Sequence, residues 1–202
     1  MGAQRASWQA AFAAEMAWLS EQEHLQALLD LVKAFETIPH DLVAKAAMEK
    51  GYNLVILRLS FAAYRLQRAV GIDGVFSRRI RAVRGITAGS GFATSELRVF
   101  LQGVIERVQQ KWSPSLVNLK LYVDDLTVAV SGLRGRTVRL LADVVDFVVH
   151  ILQVELRLEV SAKKSKVVAS RGRLATAAAT LMSSQKVQAT YHAKLLGTGV
   201  VG

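Results

Sequence analysis

The sequence predicts an α+β fold, an antiparallel sheet packed on helices. Strand-like and helix-like segments intersperse along the chain without a regular βαβ alternation. Leu119–Val130 reads as two half-buried strands: Leu119, Leu121 and Val123 alternate with Lys120 and Tyr122, and Leu126, Val128 and Val130 alternate with Thr127 and Ala129. Hydrophobic residues make up 51% of the 202-residue chain, which suits one domain with a sizeable core and excludes a disordered chain.

Residues 5–22 are expected to form a helix, with Trp8, Phe12, Met16 and Leu19 near helical spacing and alanine between them. The short apolar run Leu25–Leu31 predicts a buried strand ending near Asp30. Pro39 fits the first turn of a helix running to about Lys50, where Gly51 breaks it. Asn53 can cap the next helix, expected to reach about Val70. Gly71–Gly74 predicts a turn, Val75–Ile86 a β-hairpin or ribbon, and Thr87–Gly91 a glycine-rich loop. Ser90 or Thr94 can cap a long helix that ends before Ser113-Pro114. After the aspartate hairpin and a 132–135 loop, Thr137–Leu156 predicts a helix apolar almost all round. Lys166–Ala169 reads as a strand, 171–185 as an ambiguous and partly helical segment, and Val187–Leu196 as a strand pair.

The absence of cysteine excludes disulfides and thiolate metal sites. No apolar run reaches the length of a membrane span and no secretory leader is visible, so an intracellular protein, cytoplasmic or nuclear, is expected. The formal charge is +10 but uneven: residues 1–50 carry four basic and seven acidic side chains, 4 − 7 = −3, which leaves +13 for the remainder. Two basic clusters, Arg78, Arg79, Arg81 and Arg84, then Lys163, Lys164 and Lys166 with Arg171 and Arg173, point to a polyanionic partner. The four histidines show no metal-ligand spacing, and Ser90 lacks the sequence setting of a hydrolase nucleophile.

Asp124 and Asp125 should sit at the tip of the hairpin, since aspartate suits a turn better than a strand. Two adjacent like charges are costly unless something positive compensates them. With Asp30 at the end of another strand, three carboxylates can converge on one sheet edge. Hard oxygen ligands of this kind suit Mg²⁺, and paired ions of that type serve phosphoryl transfer.

On these residues the chain resembles the palm of reverse transcriptases, closest to the kind found in non-LTR retrotransposons and group II introns. Leu28–His40 is similar to that family's first palm motif, Gly85–Gly91 to its glycine-rich second motif, and Tyr122-Val-Asp-Asp125 to its hallmark box. Ser161–Lys166 resembles the lysine motif that follows, and Leu195-Leu-Gly197 the primer-grip hairpin. The resemblance implies a polymerase palm with partial fingers: residues 1–24 as an N-terminal helix of partial fingers, and 25–202 as the palm-like domain. It implies Mg²⁺, with Mn²⁺ possible, held by Asp30, Asp124, Asp125 and the carbonyl of Leu31. Phe35 would be the steric gate beneath the incoming sugar, Gly89 and Ser90 would line the nucleotide site, and Lys164 would approach the phosphates. Arg78, Arg79, Arg81, Arg84, Lys163 and Lys166 would bind nucleic acid. The implied partners are an RNA template, a DNA primer and deoxynucleotides, with no membrane, and the implied origin is a mobile element.

The sequence departs from the family's usual Pro-Gln-Gly-Ser-Pro at Thr87-Ala-Gly-Ser-Gly91, and only 29 residues precede Asp30. A catalytically degenerate palm that binds nucleic acid, or a basic scaffold for a protein or RNA partner, therefore stand as the alternatives to a working polymerase.

Overall fold

The computed structural model describes residues 3–87, 89–133, 135–195 and 198–201. Its centre is a five-stranded sheet in the order β4-β5-β1-β6-β7, formed by β1 (Glu23–Leu29), β4 (Val117–Tyr122), β5 (Asp125–Gly132), β6 (Lys166–Ala169) and β7 (Gln188–Ala189). The first three pairings are antiparallel and β6–β7 is parallel. The expected α+β class and its mainly antiparallel sheet are what the structure shows.

Strand β1 lies between β5 and β6 and is buried along nearly its whole length. Its residues Leu25, Ala27 and Leu29 share one face with Leu126, Val128 and Val130 of β5. That face joins the core with Leu97, Leu101, Val104, Leu141, Val145 and Val148 of two long helices, α5 (Ala93–Lys111) and α6 (Thr137–His150). On the opposite face lie His24 and Gln26 of β1, Asn118 and Lys120 of β4, and Thr127, Ala129 and Ser131 of β5. The helix α1 (Ala3–Leu19) lies against this face and encloses, through Ala10 and Ala13, a cavity of about 150 Å³. Small residues on the inner side of α1 permit this approach, and Ala10 and Ala17 are buried. Its large side chains face outward: Trp8 is 77% exposed and Trp18 72%.

Between β1 and α5 the chain forms a short helix α2 (Ala34–Thr37), then α3 (His40–Glu49), α4 (Leu54–Tyr64) and the ribbon β2–β3 (Gly71–Ile72, Val75–Phe76). Asn53 caps α4 as expected, its side chain accepting from the amides of Val55 and Ile56 at 3.0 and 3.2 Å. The helix stops at Tyr64 rather than near Val70. Residues beyond it are taken into the ribbon: Arg68 and Ile80 exchange backbone hydrogen bonds, and the Ser77 amide donates to the carbonyl of Val70. Asp73 and Gly74, both left-handed, make the tight turn. The ribbon is thus built from 68–80 rather than from Val75–Ile86.

Other expectations are corrected locally. Neither Ser90 nor Thr94 caps α5, whose first turn follows Phe92; the Ser90 hydroxyl instead accepts from the Phe92 amide at 3.4 Å, one turn earlier. The predicted helix 137–156 ends at His150 and widens into a π-helical turn, Ile151–Glu155. The ambiguous segment contains α7 (Gly172–Leu181). The strands of Val187–Leu196 do not pair with each other: β7 joins β6 in parallel, whereas β8 (His192–Leu195) pairs with β9 (Thr198–Val201). Leu196 and Gly197 of the expected primer-grip motif lie outside the described residues.

Gly85 is the position where the backbone leaves least room. Its φ is +89°, and a Cβ there would meet the carbonyl oxygen of Glu36 at 2.9 Å. Its amide donates to Ile38 and the amide of Ile86 donates to Phe35, so the close approach is enforced from both sides. Gly85→Ala is expected to destabilise the fold by about 1–3 kcal/mol, combining left-handed strain with the clash. Urea unfolding of the two proteins measures this; equal midpoints contradict it.

Candidate functional site

The register of β1 on β5 sets Leu29 against Leu126. Carried one residue further, it sets Asp30 against Asp125 at the end of the sheet. Because side chains alternate along a strand, Asp30 and Asp125 then project from the face opposite Leu29 and Leu126, away from the core.

Tyr122 pairs with Asp125, so the hairpin closes through a two-residue turn, Val123-Asp124. Val123 has φ +57°. Glycine is the usual occupant of that region, and a β-branched residue held there costs about 1–3 kcal/mol. The sequence expectation of an Asp-Asp tip is thereby refined: Asp124 is in the turn, and Asp125 is the first residue of β5. The Asp125 carboxyl is pushed above the usual carboxylate range, first by desolvation and then by the negative charges of Asp124 and Asp30. Desolvation is the largest of these causes, although the residue as a whole is exposed, and the crowding of like charges adds to it.

Asp30 is tied down by its backbone. Its amide donates to Ser165 Oγ at 3.0 Å and its carbonyl accepts from the Ser161 amide at 2.9 Å. The amides of Lys164 and Ser165 return to the Ser161 carbonyl, so 161–165 is a turn folded onto Asp30. From it Lys164 brings Nζ to 3.7 Å from Asp30 Oδ2. That oxygen is buried and has no hydrogen-bond partner among the described residues. Leu31 stands opposite Val160 in a bridge whose hydrogen bonds come from the flanking residues, leaving its own carbonyl turned away from that segment.

A buried carboxylate oxygen without a hydrogen-bond partner on Asp30, a carboxylate at Asp125 on which the charges of Asp124 and Asp30 both act, and all-oxygen donors are the chemistry that suits Mg²⁺ or Mn²⁺. The residues fit such a group by type and by charge. They do not stand closed around one: among the described residues no three acidic or histidine side chains are close enough together to hold an ion. The Lys164 ammonium stands in the cationic place beside Asp30.

Phe35 is half-buried, packs against the core, and its carbonyl accepts from Ile86 at 2.7 Å, so the first motif directly abuts the glycine-rich loop. Gly89 is exposed with φ +91°. Ser90 is half-buried, and its hydroxyl accepts from the Phe92 amide. Ala88, at the position of the family's glutamine, lies outside the described residues. Lys163 is exposed, while Lys166 donates to Gln188 Oε1 at 2.6 Å.

Arg78, Arg79, Arg81 and Arg84 are all exposed on the segment that follows α4. The structure adds residues to this surface that the sequence reading passed over. Arg58 and Arg65 of the α4 region flank an open cavity with Arg81 and Gln67. Residues 51–95 hold seven arginines, no lysine and one acidic residue, Asp73. The helical spacing of Arg58 and Arg65 with Phe61 was the available signal. Arg65 is held in place: its guanidinium lies 4.9 Å from the Phe61 ring centroid, and its Nε donates to His40 Nδ1 at 3.2 Å. His40 in turn donates from Nε2 to the Gly85 carbonyl at 2.7 Å. Burial, and next to it the charge of Arg65, depress the His40 pKa, against the raising effects of the Gly85 hydrogen bond and nearby carboxylates; the neutral ring fits both bonds. No described helix is long and apolar enough to cross a membrane.

A mainly antiparallel sheet backed by helices, with a carboxylate-bearing hairpin beside a carboxylate-ending strand, defines a polymerase palm-like class of protein. Residues 3–199 match the reverse transcriptase (RNA-dependent DNA polymerase) family, and the chain belongs to it. Among solved structures, a telomerase from Candida tropicalis, in its apo form and truncated from the C-terminal domain, is similar with a TM-score of 0.64 at 10% identity. The match covers 96% of this chain and 39% of that one, so this chain spans about two fifths of the telomerase chain's length. At that identity the likeness speaks for the fold. No curated protein matches the sequence.

Because desolvation, and after it the charges of Asp124 and Asp30, raise the Asp125 pKa on folding, ionised Asp125 costs stability at neutral pH, and that cost disappears as pH falls below its unfolded value of about 3.9. In divalent-free buffer at pH 7, Asp125→Asn is expected to melt about 1–3 °C above the wild type, a small gain because the side chain is solvent-screened. The two curves converge near pH 4. An asparagine variant that melts lower at pH 7 contradicts the charge-crowding account.

Proposed function

We propose that the chain is the palm of an RNA-directed DNA polymerase of the non-LTR retrotransposon or group II intron kind, from a mobile element, working in the cytoplasm or nucleus. Residues 25–202 are read as the palm and 1–24 as a part of the fingers. The observation that carries this reading is the register that sets Asp30 against Asp125 beside Asp124, with Asp30 Oδ2 buried, 3.7 Å from Lys164 Nζ and without a hydrogen-bond partner among the described residues.

In this reading Asp30 and Asp124 hold Mg²⁺ or Mn²⁺, with Asp125 in support and the Leu31 carbonyl as a further oxygen donor. Two such ions, when bound, supply Lewis acidity that activates a primer 3′ hydroxyl and neutralises charge on the transferring phosphate. Lys164, on the turn beside Asp30, balances the acidic cluster in their absence and faces the deoxynucleotide phosphates in their presence. Phe35 sits beneath the sugar and excludes a 2′ hydroxyl by bulk. Gly89, which has no side chain, and the backbone of Ser90 let a base and sugar approach the loop closely. Arg78, Arg79, Arg81, Arg84, Lys163 and Lys166, joined by Arg58 and Arg65, hold the phosphates of RNA template and DNA primer, with planar guanidinium groups suited to bidentate contact.

Two observations favour a second reading, a palm that binds nucleic acid without catalysis: among the described residues the carboxylates are not closed around an ion-sized site, and Ala88 stands where the family has glutamine.

The two are separated by primer extension on an RNA template with Mg²⁺ and with Mn²⁺, run beside an Asp124→Asn, Asp125→Asn control. Extension that vanishes in the control is the expected result. No extension, together with no Mn²⁺-dependent rise in melting temperature, supports the non-catalytic reading. Template binding is expected in both cases and should weaken steeply with salt, with a log–log slope near −0.7 per phosphate neutralised on a single strand. Removing Arg78, Arg79 and Arg81 flattens that slope; an unchanged slope removes them from the interface.

A further inference from the structure

The sheet face beneath α1 is polar, and several of its side chains have nothing to bond. Strand β1 lies at the middle of the sheet and carries Gln26 on this face, only 2% exposed. Among the described residues the Gln26 side-chain amide makes no hydrogen bond. On the two neighbouring strands Thr127 of β5, 6% exposed, stands directly opposite Lys120 of β4, which is half-buried. Neither of these side chains has a hydrogen bond or an ion pair among the described residues. All three line the cavity of about 150 Å³ that Ala10 and Ala13 of α1 enclose. Buried polar groups are normally satisfied by protein or by an ordered guest, so three open ones around one cavity point to an occupant.

The charge inside selects its chemistry. No carboxylate lines the cavity. His24 lines it, with Nδ1 2.8 Å from Ser131 Oγ. Burial, and after it the charge of Lys120, lower the His24 pKa, so the ring is neutral at pH 7. Among the described residues Lys120 is therefore the one cation of the lining. Burial lowers its own pKa, and no carboxylate acts to raise it. A desolvated ammonium without a counter-charge is costly, and an anion beside it offsets that cost. Asp125 lines only a smaller cavity of about 20 Å³, which shares Gln26, Lys120 and Thr127 with the larger one. A single water needs about 10–15 Å³, so the larger cavity has room for a guest of several atoms. An ammonium, an amide N–H and a hydroxyl together form a donor set for an oxyanion.

We propose that the cavity between α1 and the sheet binds a small oxyanion of the phosphate class, held by the Lys120 ammonium, the Gln26 amide and the Thr127 hydroxyl. The donors stand on three neighbouring strands and α1 closes over them, so the bound anion fastens the helix to the sheet. This site is separate from the exposed arginines that follow α4, and it does not depend on the chain being a polymerase.

The test titrates the full chain, in divalent-free buffer, with sodium phosphate against sodium chloride at equal ionic strength. Phosphate is expected to raise Tm saturably, as a ligand of the folded state does, and to slow hydrogen exchange over 4–19 while 172–181 stays unchanged. Lys120→Met keeps an unbranched side chain without the charge and should abolish both effects. Gln26→Leu should weaken the apparent affinity about tenfold, the equivalent of one hydrogen bond to a charged group. A variant carrying Arg78→Ala, Arg79→Ala and Arg81→Ala should respond to phosphate as the wild type does. A wild type that phosphate does not stabilise overturns the proposal and leaves the cavity to water. So does a Lys120→Met protein that still responds fully, or a response lost in the arginine variant, which places the anion on the outer surface. Should Lys120→Met fail to fold, protection of 4–19 by phosphate in both the wild type and the arginine variant supports the site, and its absence from either refutes it.

Discussion

The antiparallel register between β1 and β5 is the constraint on which the rest depends. It sets Leu25, Ala27 and Leu29 against Val130, Val128 and Leu126 on the core side, and this same parity delivers Asp30 and Asp125 to the other side. A slip of one residue would reverse every side chain of β1, placing Asp30 toward the buried leucines and valines of α5 and α6. The price of burying a carboxylate there makes the register strongly specified, so the packing of the core and the assembly of the acidic site are one decision rather than two.

What gathers around that register is held mostly by backbone and by serine hydroxyls. The turn 161–165 is folded onto Asp30 by Ser161 and Ser165, and Ser165 is fully buried. The glycine-rich loop is held at its Gly85 end by the His40 ring. The site is therefore a set of short segments pinned to rigid elements, in which the charged groups themselves make few compensating contacts. Lys164 beside Asp30 is the exception, and its ammonium stands at ion-pair rather than hydrogen-bond distance.

Much of this was legible in the sequence because period-two and helical patterns report burial directly. The strand before Asp30, the hairpin around Asp124 and Asp125, the Asn53 cap and the long helix after the glycine-rich loop were all readable in that way. Three things were not. The end of α4 at Tyr64 depends on backbone pairing between Arg68 and Ile80, a partner twelve residues away that no local propensity announces. The parallel β6–β7 pairing and the β8–β9 hairpin depend on which strand finds which, and several short apolar runs there were equivalent on paper. Glu96 left a faint trace, one acidic residue on an otherwise apolar face of α5, but its partner Tyr64 comes from another helix and no spacing rule links them. The three acidic residues were singled out by pattern and family resemblance together, while side-chain separations, such as the absence of an ion-sized acidic cluster among the described residues, are not displayed by a sequence.

The composition of the basic surface between Gly51 and Ser95 has a consequence for regulation. All seven of its cationic side chains are arginine. A guanidinium stays protonated throughout the physiological range, and it offers no amine to acylating enzymes. The charge of this surface is therefore fixed at synthesis: neither a change in compartment pH nor lysine acetylation can alter it. Of the covalent modifications of arginine, methylation would keep the charge of this surface and block its paired hydrogen bonds.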